Sequence, residues 1–195
     1  MTQMMNKHEE WQALQEGCMQ CVGCPLHATR TNVVFGTGNA DSPILIVGEG
    51  PGEQEDLTGV PFVGPAGKLL DDMLSIIDLD RNSNIYIANI VKCRPPRNRD
   101  PLETEQDACI DYLRNQVALV KPKIIVCLGR IAAKRLIDPE FRITRQHGTW
   151  VERNGIWMSA IYHPSALLRD VSKRPETFED LLSLREKIKE AGAKM

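Results

Sequence analysis

No apolar run in these 195 residues approaches the roughly 20 that a membrane-spanning helix needs. The opening stretch, residues 1–11, is acidic and polar and has no apolar signal core, so a cytoplasmic protein, nucleoid-associated in a prokaryote, is expected. Internal repeats and low-complexity tracts are missing as well, and the length suits one domain over residues 1–195 with one core. Nor is there an excess of positive charge. The 24 Lys and Arg against 26 Asp and Glu leave −2, which argues against nucleic-acid binding dominated by bulk electrostatics. A local basic face built from Arg94, Arg97 and Arg99 stays compatible with that balance. The apolar fraction of 42% and charged fraction of 26% are those of an ordinary soluble globular protein.

The segments that are present alternate between two periods. Residues 7–17 read as a short helix leading into cysteines at 18–24. Residues 43–48 form a short apolar run stopped by glycine, as in a strand buried on both faces. Residues 66–77 repeat apolar positions at helical spacing, and 85–91 read as a second strand. Pro101 opens a helix to about residue 120, with Glu103 and Glu105 in its first turn. Residues 123–129 read as a third strand, followed by a helix at 130–137. Residues 156–162 make a fourth strand, and a charged helix over about 175–190 closes the pattern. Strands alternating with helices imply an α/β three-layer αβα sandwich around a central four-stranded parallel sheet. Sites in such sheets form at the carboxyl ends of strands, and the motifs below follow three of the four strands.

Six cysteines in a cytoplasmic chain favour metal binding or catalysis over structural disulfides. Cys18, Cys21 and Cys24 stand two residues apart with Pro25 following, a partial match to the ferredoxin-type thiolate run. Cys93 lies just past the second strand and Cys109 on the helix after it, so thiolates from these places can meet at one sheet edge. Zinc is the competing occupant to an iron–sulfur cluster. Cys127, inside an apolar strand, reads as a buried apolar residue.

Gly48 to Asp56 follow the first strand directly. Glycines let a backbone approach a ligand closely, but Glu49, Glu53, Glu55 and Asp56 repel a phosphate. Neither GxGxxG nor a Walker lysine is present, so a dinucleotide site is a poor reading. Backbone N–H groups and carboxylates beside a groove suit hydrolysis of a neutral bond instead. A solvated acidic turn accounts for Glu53 and Asp56 better than for Glu49 or Glu55.

The runs GEGPGEQEDLTGVPFVGPAGKLL (48–70), NIVKCRPPRNRDP (89–101) and HPSALLR (163–169), with the cysteine spacing, resemble the family 4 uracil-DNA glycosylases over about residues 18–170. The resemblance implies a uracil-DNA glycosylase acting on uracil-containing DNA, single- or double-stranded. It also implies the αβα sandwich and a structural [4Fe–4S] cluster on Cys21, Cys24, Cys93 and Cys109. No other cofactor is expected, and Cys18 is left as a spare thiol.

An enzyme acting on a base must extrude it and read its exposed edge. Phe62, in the loop after the glycines, is expected to stack on uracil. The Asn89 amide can donate to O4 and accept from N3–H, both inverted in cytosine, and unmet pairing at a buried polar site discriminates by orders of magnitude. His163, after the fourth strand, is placed to stabilise the charge developing near O2 of the leaving uracil. The best-known glycosylases of this superfamily carry an aspartate where this chain has Gly50, whose backbone is expected to contact the base. Glu55 then ranks ahead of Glu49 as the group that positions water. Leu167 is expected to wedge into the gap left by the extruded base, with Ser165, Arg169 and Arg94 on the DNA.

Other readings compete. A sister enzyme that captures the abasic site covalently carries a KRRIH-like stretch after its second strand, whereas residues 94–99 here contain no histidine. A non-catalytic iron–sulfur or zinc module for nucleic acid would explain the cysteines but not Asn89, Phe62 and His163 together. A nucleotide-processing enzyme is disfavoured by the acids around the glycine loop.

Overall fold

The computed structural model describes residues 6–193; residues 1–5 of the polar opening stretch, and residues 194–195, lie outside the described residues. Four strands form the parallel centre of the sheet: β2 (Ile44–Gly48), β3 (Tyr86–Asn89), β4 (Ile124–Leu128) and β6 (Ile156–Ile161). β2 and β4 are buried along their whole length, and their alternate residues face opposite layers. Leu45, Val47, Ile125 and Cys127 pack with one cluster, which includes Ile110 and Leu113 of helix α4 (Glu103–Val120). Ile44, Ile46, Ile124 and Val126 pack with the other, against Leu70 and Leu74 of α3 (Pro65–Ser75) and Leu181 and Leu184 of α8 (Arg174–Glu190). Burial on both faces is why these strands read as continuous apolar runs rather than alternating ones, and it produces the expected three layers.

The sheet is larger than the four strands expected. Its order is β1-β3-β2-β4-β6-β5 over six strands, with β1 (Thr37–Gly38) and β5 (Val151–Arg153) added antiparallel at the two edges. Edges of two and three residues carry too few side chains for a period to register. Helices α1 (Lys7–Met19) and α5 (Gly129–Leu136) lie close to their expected places.

The acidic segment is also not a turn. Glu53–Thr58 forms helix α2, with Gly52 at its N-cap and Gly59 at φ 74° closing it. Its acids stand in the first turn, where the helix dipole favours negative charge. Asp56, expected to be solvated, is 3% exposed and accepts from the backbone N–H of Thr31 at 2.9 Å. Two short helices complete the order: α6 (Ile143–Gln146) and α7 (Pro164–Arg169). No helix among the described residues is long and apolar enough to cross a membrane.

Candidate active site

Parallel strands that end together leave a crevice beyond their carboxyl ends. Here the loops after β2, β3, β4 and β6 enclose a cavity of about 430 Å³, whose wall includes Glu49, Gly50, Glu55, Phe62, Asn89, His163, Ser165 and Arg169. These residues span more than a hundred positions of chain and meet because β2 lies between β3 and β4, with β6 beyond.

Asn89 is the last residue of β3 and pairs in register with Gly48 of β2. It is 1% exposed, and its Oδ1 is buried without any hydrogen-bond partner. A buried acceptor left unpaired costs about 1–3 kcal/mol, and such an atom in a cavity wall is satisfied when a donor enters. Gly48 is required by this arrangement: a Cβ there would overlap Asn89 Oδ1 and lie 2.6 Å from Phe62 Cζ.

Phe62 adopts a left-handed backbone, φ 56°, and its ring centroid is 5.7 Å from that of His163. A bulky residue at positive φ is costly and persists only where its surroundings impose it. His163 caps α7, its Nδ1 accepting from the backbone N–H of Ser165 at 3.1 Å. An accepting Nδ1 is bare, so the neutral ring carries its proton on Nε2. Burial, and secondarily the Arg169 charge, pull the His163 pKa down to about 4 against a weaker opposing influence of Glu55. Gly129, at φ 83°, leaves room for this ring, since a Cβ there would lie 2.9 Å from that of His163.

The two carboxylates differ. Glu55 Oε1 accepts from the backbone N–H groups of Val63 and Gly64, both at 2.9 Å, and Oε2 accepts from Gly52 at 3.1 Å. Both oxygens accept from the backbone, whereas Glu55 was expected from sequence to rank ahead of Glu49 as the group that positions water. Glu49 makes no such bond. Burial first, and then the neighbouring Asp100 carboxyl, push its pKa up to about 7, with Arg130 opposing. Asp100 pairs with Arg130, and both line the cavity. Neither was singled out from sequence, because Arg130 belongs to α5 and meets the 89–101 run only in three dimensions.

A model of the uracil DNA glycosylase superfamily matches residues 35–184. A type-4 uracil-DNA glycosylase of Archaeoglobus fulgidus is 48% identical over 176 residues, covering 86% of this chain and 88% of its own. Another, from Thermotoga maritima, is 42% identical over 193 residues, covering 97% of this chain and 100% of its own, which takes in the N-terminal cysteines. A third, from Pyrobaculum aerophilum, is 40% identical and covers 87% and 90% of the two chains. The chain belongs to the type-4 uracil-DNA glycosylases.

Two expected DNA contacts of this family member need correction. Leu167 is 1% exposed and packs within the core beside α3, whereas its neighbour Leu168 is 44% exposed. Successive residues of a helix point about 100° apart, and in α7 the direction toward the core falls to Leu167 while Leu168 turns outward. Arg94 is half-buried outside the cavity wall, with Nε donating to Asn98 Oδ1 at 2.7 Å and Nη1 3.7 Å from Glu53. Arg99 is likewise engaged, forking onto the buried Glu105 carboxylate at 2.8 and 2.6 Å. Arg97 and Arg169 are exposed.

The thiols of Cys18, Cys21, Cys24, Cys93 and Cys109 line a second, narrow cavity with Arg30 and Lys92. Arg30 donates to Cys93 Sγ at 3.3 Å, the Lys92 backbone N–H to Cys109 Sγ at 3.3 Å, and the Gly23 N–H to Cys21 Sγ at 3.4 Å. Donors aimed at sulfur and two nearby cations suit thiolates rather than thiols. Burial pushes Cys18 up to about 12 and Cys109 up to about 11, so deprotonation needs further positive charge of the kind metal ions supply. Among the described residues no three His, Cys, Asp or Glu side chains gather tightly enough for a single metal ion. Cys127 is wholly buried in β4, away from this set.

Proposed function

We propose that this chain excises uracil from DNA by hydrolysing the glycosidic bond of an extruded nucleotide. The observation that carries the proposal is the buried, unpartnered Oδ1 of Asn89 in the wall of a cavity that also holds Phe62 and His163. In this reading the uracil N3–H donates to Oδ1 and the amide nitrogen donates to O4. Cytosine presents the inverse pattern and leaves both groups mismatched against a buried amide.

Phe62 stacks on the base, and the Gly50 backbone borders it. The neutral His163 ring donates from Nε2 toward O2 as negative charge develops on the departing uracil. Its Nδ1 bond to Ser165 sets both the tautomer and the ring plane, so the donor is in place before the bond breaks. The sugar gains oxocarbenium character, and water completes the displacement. Glu49, held by burial near neutrality, serves as the group that orients this water and takes its proton. Leu168 rather than Leu167 fills the gap in the stack, and Ser165, Arg169 and Arg97 approach the phosphates.

Cys21, Cys24, Cys93 and Cys109 would hold a [4Fe–4S] cluster, with Cys18 beside it as a non-ligand. When bound, the cluster supplies a covalent tie among the segment after α1, the loop after β3 and helix α4. That tie steadies the 89–101 run bearing Asn89 and Asp100. We read residues 1–195 as one domain organised around this sheet.

Free uracil released from uracil-containing single- and double-stranded oligonucleotides tests the reading directly. Asn89→Ala and His163→Ala are expected to slow release while leaving the fold intact. Wild-type rates in both variants would remove the site assignment.

A further inference from the structure

Phe62 stands in a conformation that its own chemistry disfavours, and the protein grips it from two sides. Its carbonyl and that of Pro61 both accept from Arg81, at 2.8 and 3.0 Å. The next two peptide N–H groups, of Val63 and Gly64, both donate to Glu55 Oε1. The peptide plane after Phe62 is therefore held at its oxygen by a cation and at its nitrogen by an anion. Helix α3 closes the third side, for a Cβ on Gly67 would meet the Phe62 carbonyl oxygen. Arg81 is oriented in turn, its Nε donating to Asp71 Oδ1 of α3 at 2.7 Å, and its side chain is only 14% exposed.

Arg81 sits in the α3–β3 connection, outside the cavity wall. No step of the reaction employs it, yet a guanidinium fork spanning two successive carbonyls is a specific construction that a lysine cannot reproduce. A stacking residue at positive φ relaxes toward ordinary backbone angles unless such contacts over-determine it. Relaxation would swing the ring away from Gly48 and His163, between which it is now seated.

We propose that Arg81 and Glu55 form a two-sided backbone clamp that presets Phe62 as the stacking platform for the extruded base. Arg81 is thus a positioning residue for base recognition. Glu55 serves the same platform rather than the attacking water. This inference rests on the stacking role given to Phe62 above.

The test is a double-mutant cycle read by single-turnover uracil release, with KM and folded fraction measured in parallel. Phe62→Leu is expected to lower the rate roughly 10- to 100-fold, the range of a lost base–aromatic stack. Arg81→Met is expected to lower it by a similar factor in the wild-type background, and less than about twofold in the Phe62→Leu background, because coupled residues are not additive. Glu55→Gln should behave in the same coupled way. Arg81→Lys, which keeps the charge but not the fork, should fall between, and it decides the matter should Arg81→Met fold poorly. Full losses for Arg81 variants in both backgrounds, or wild-type rates in folded Arg81→Met and Arg81→Lys, overturn the clamp. A full loss for Glu55→Gln in the Phe62→Leu background returns Glu55 to the water and removes its half of the clamp. If Phe62→Leu itself releases uracil at the wild-type rate, the stacking role fails first and the clamp with it.

Discussion

Gly48 and Asn89 stand side by side at the ends of two parallel strands, so close that one added carbon on Gly48 would overlap the Asn89 carboxamide. The same carbon would strike the Phe62 ring. The absence of a side chain at one position thus sets the placement of two recognition groups. Gly48→Ala is expected to fold, because φ at this residue is ordinary for a strand, but to lose about 100-fold in uracil release through displacement of both groups. Near-wild-type rates together with a normal melting temperature would show that the amide is not used where it stands.

Acid–base behaviour separates Glu49 from His163. Glu49 is raised from 4.5 to about 7, so it is protonated, and unable to accept a proton from water, below that pH. His163 is lowered from 6.5 to about 4, so it remains neutral throughout the range where Glu49 titrates. Single-turnover rates should fall about tenfold per pH unit below about 7. Glu49→Gln should abolish that limb. Asp100→Asn should shift it to lower pH by removing the like charge, without returning it to 4.5, since burial is the larger cause. A limb unchanged in Glu49→Gln assigns the titration to another group.

The adjacent leucines of α7 should behave oppositely. Leu167→Ala removes a core side chain and is expected to cost about 2–5 kcal/mol of stability by denaturant unfolding. Leu168→Ala should leave stability within about 0.5 kcal/mol yet weaken turnover on duplex substrate more than on single strands, where no stacked gap needs filling. Equal effects of Leu168→Ala on both substrates would contradict the wedge.

The thiol site makes a spectroscopic prediction. Purified protein should be brown, and iron and sulfide should both be lost in Cys93→Ala and Cys109→Ala. Cys18→Ala should keep the iron, the sulfide and the visible absorption, since Cys18 is given no bond to the cluster. A colourless chain holding one zinc would overturn the cluster while leaving the pocket assignment intact.

Much of this architecture was legible from residue order. Apolar runs without alternation identify strands covered on both faces, as β2 and β4 are. Residues that follow such strands must emerge at the carboxyl rim, which brings Glu49, Asn89 and His163 to one cavity. The two-residue β1 and three-residue β5 left no such trace, because their pairing lies in backbone contacts to β3 and β6. Glu53 and Asp56 read as part of a solvated turn, since helix-dipole compensation is a property of the helix they begin rather than of any single residue.

What local sequence determined, then, is which segments become strand or helix and which end of the sheet bears the chemistry, because periodicity and chain direction are properties of neighbours along the chain. Tertiary structure alone decided which leucine of α7 faces outward and that Arg99 is spent on Glu105. It likewise set Glu55 to bind backbone while Glu49 meets Asp100, and brought Arg81 under Phe62. Each of these depends on partners distant in sequence, and a side chain's chemistry is settled by the group it meets rather than by its type.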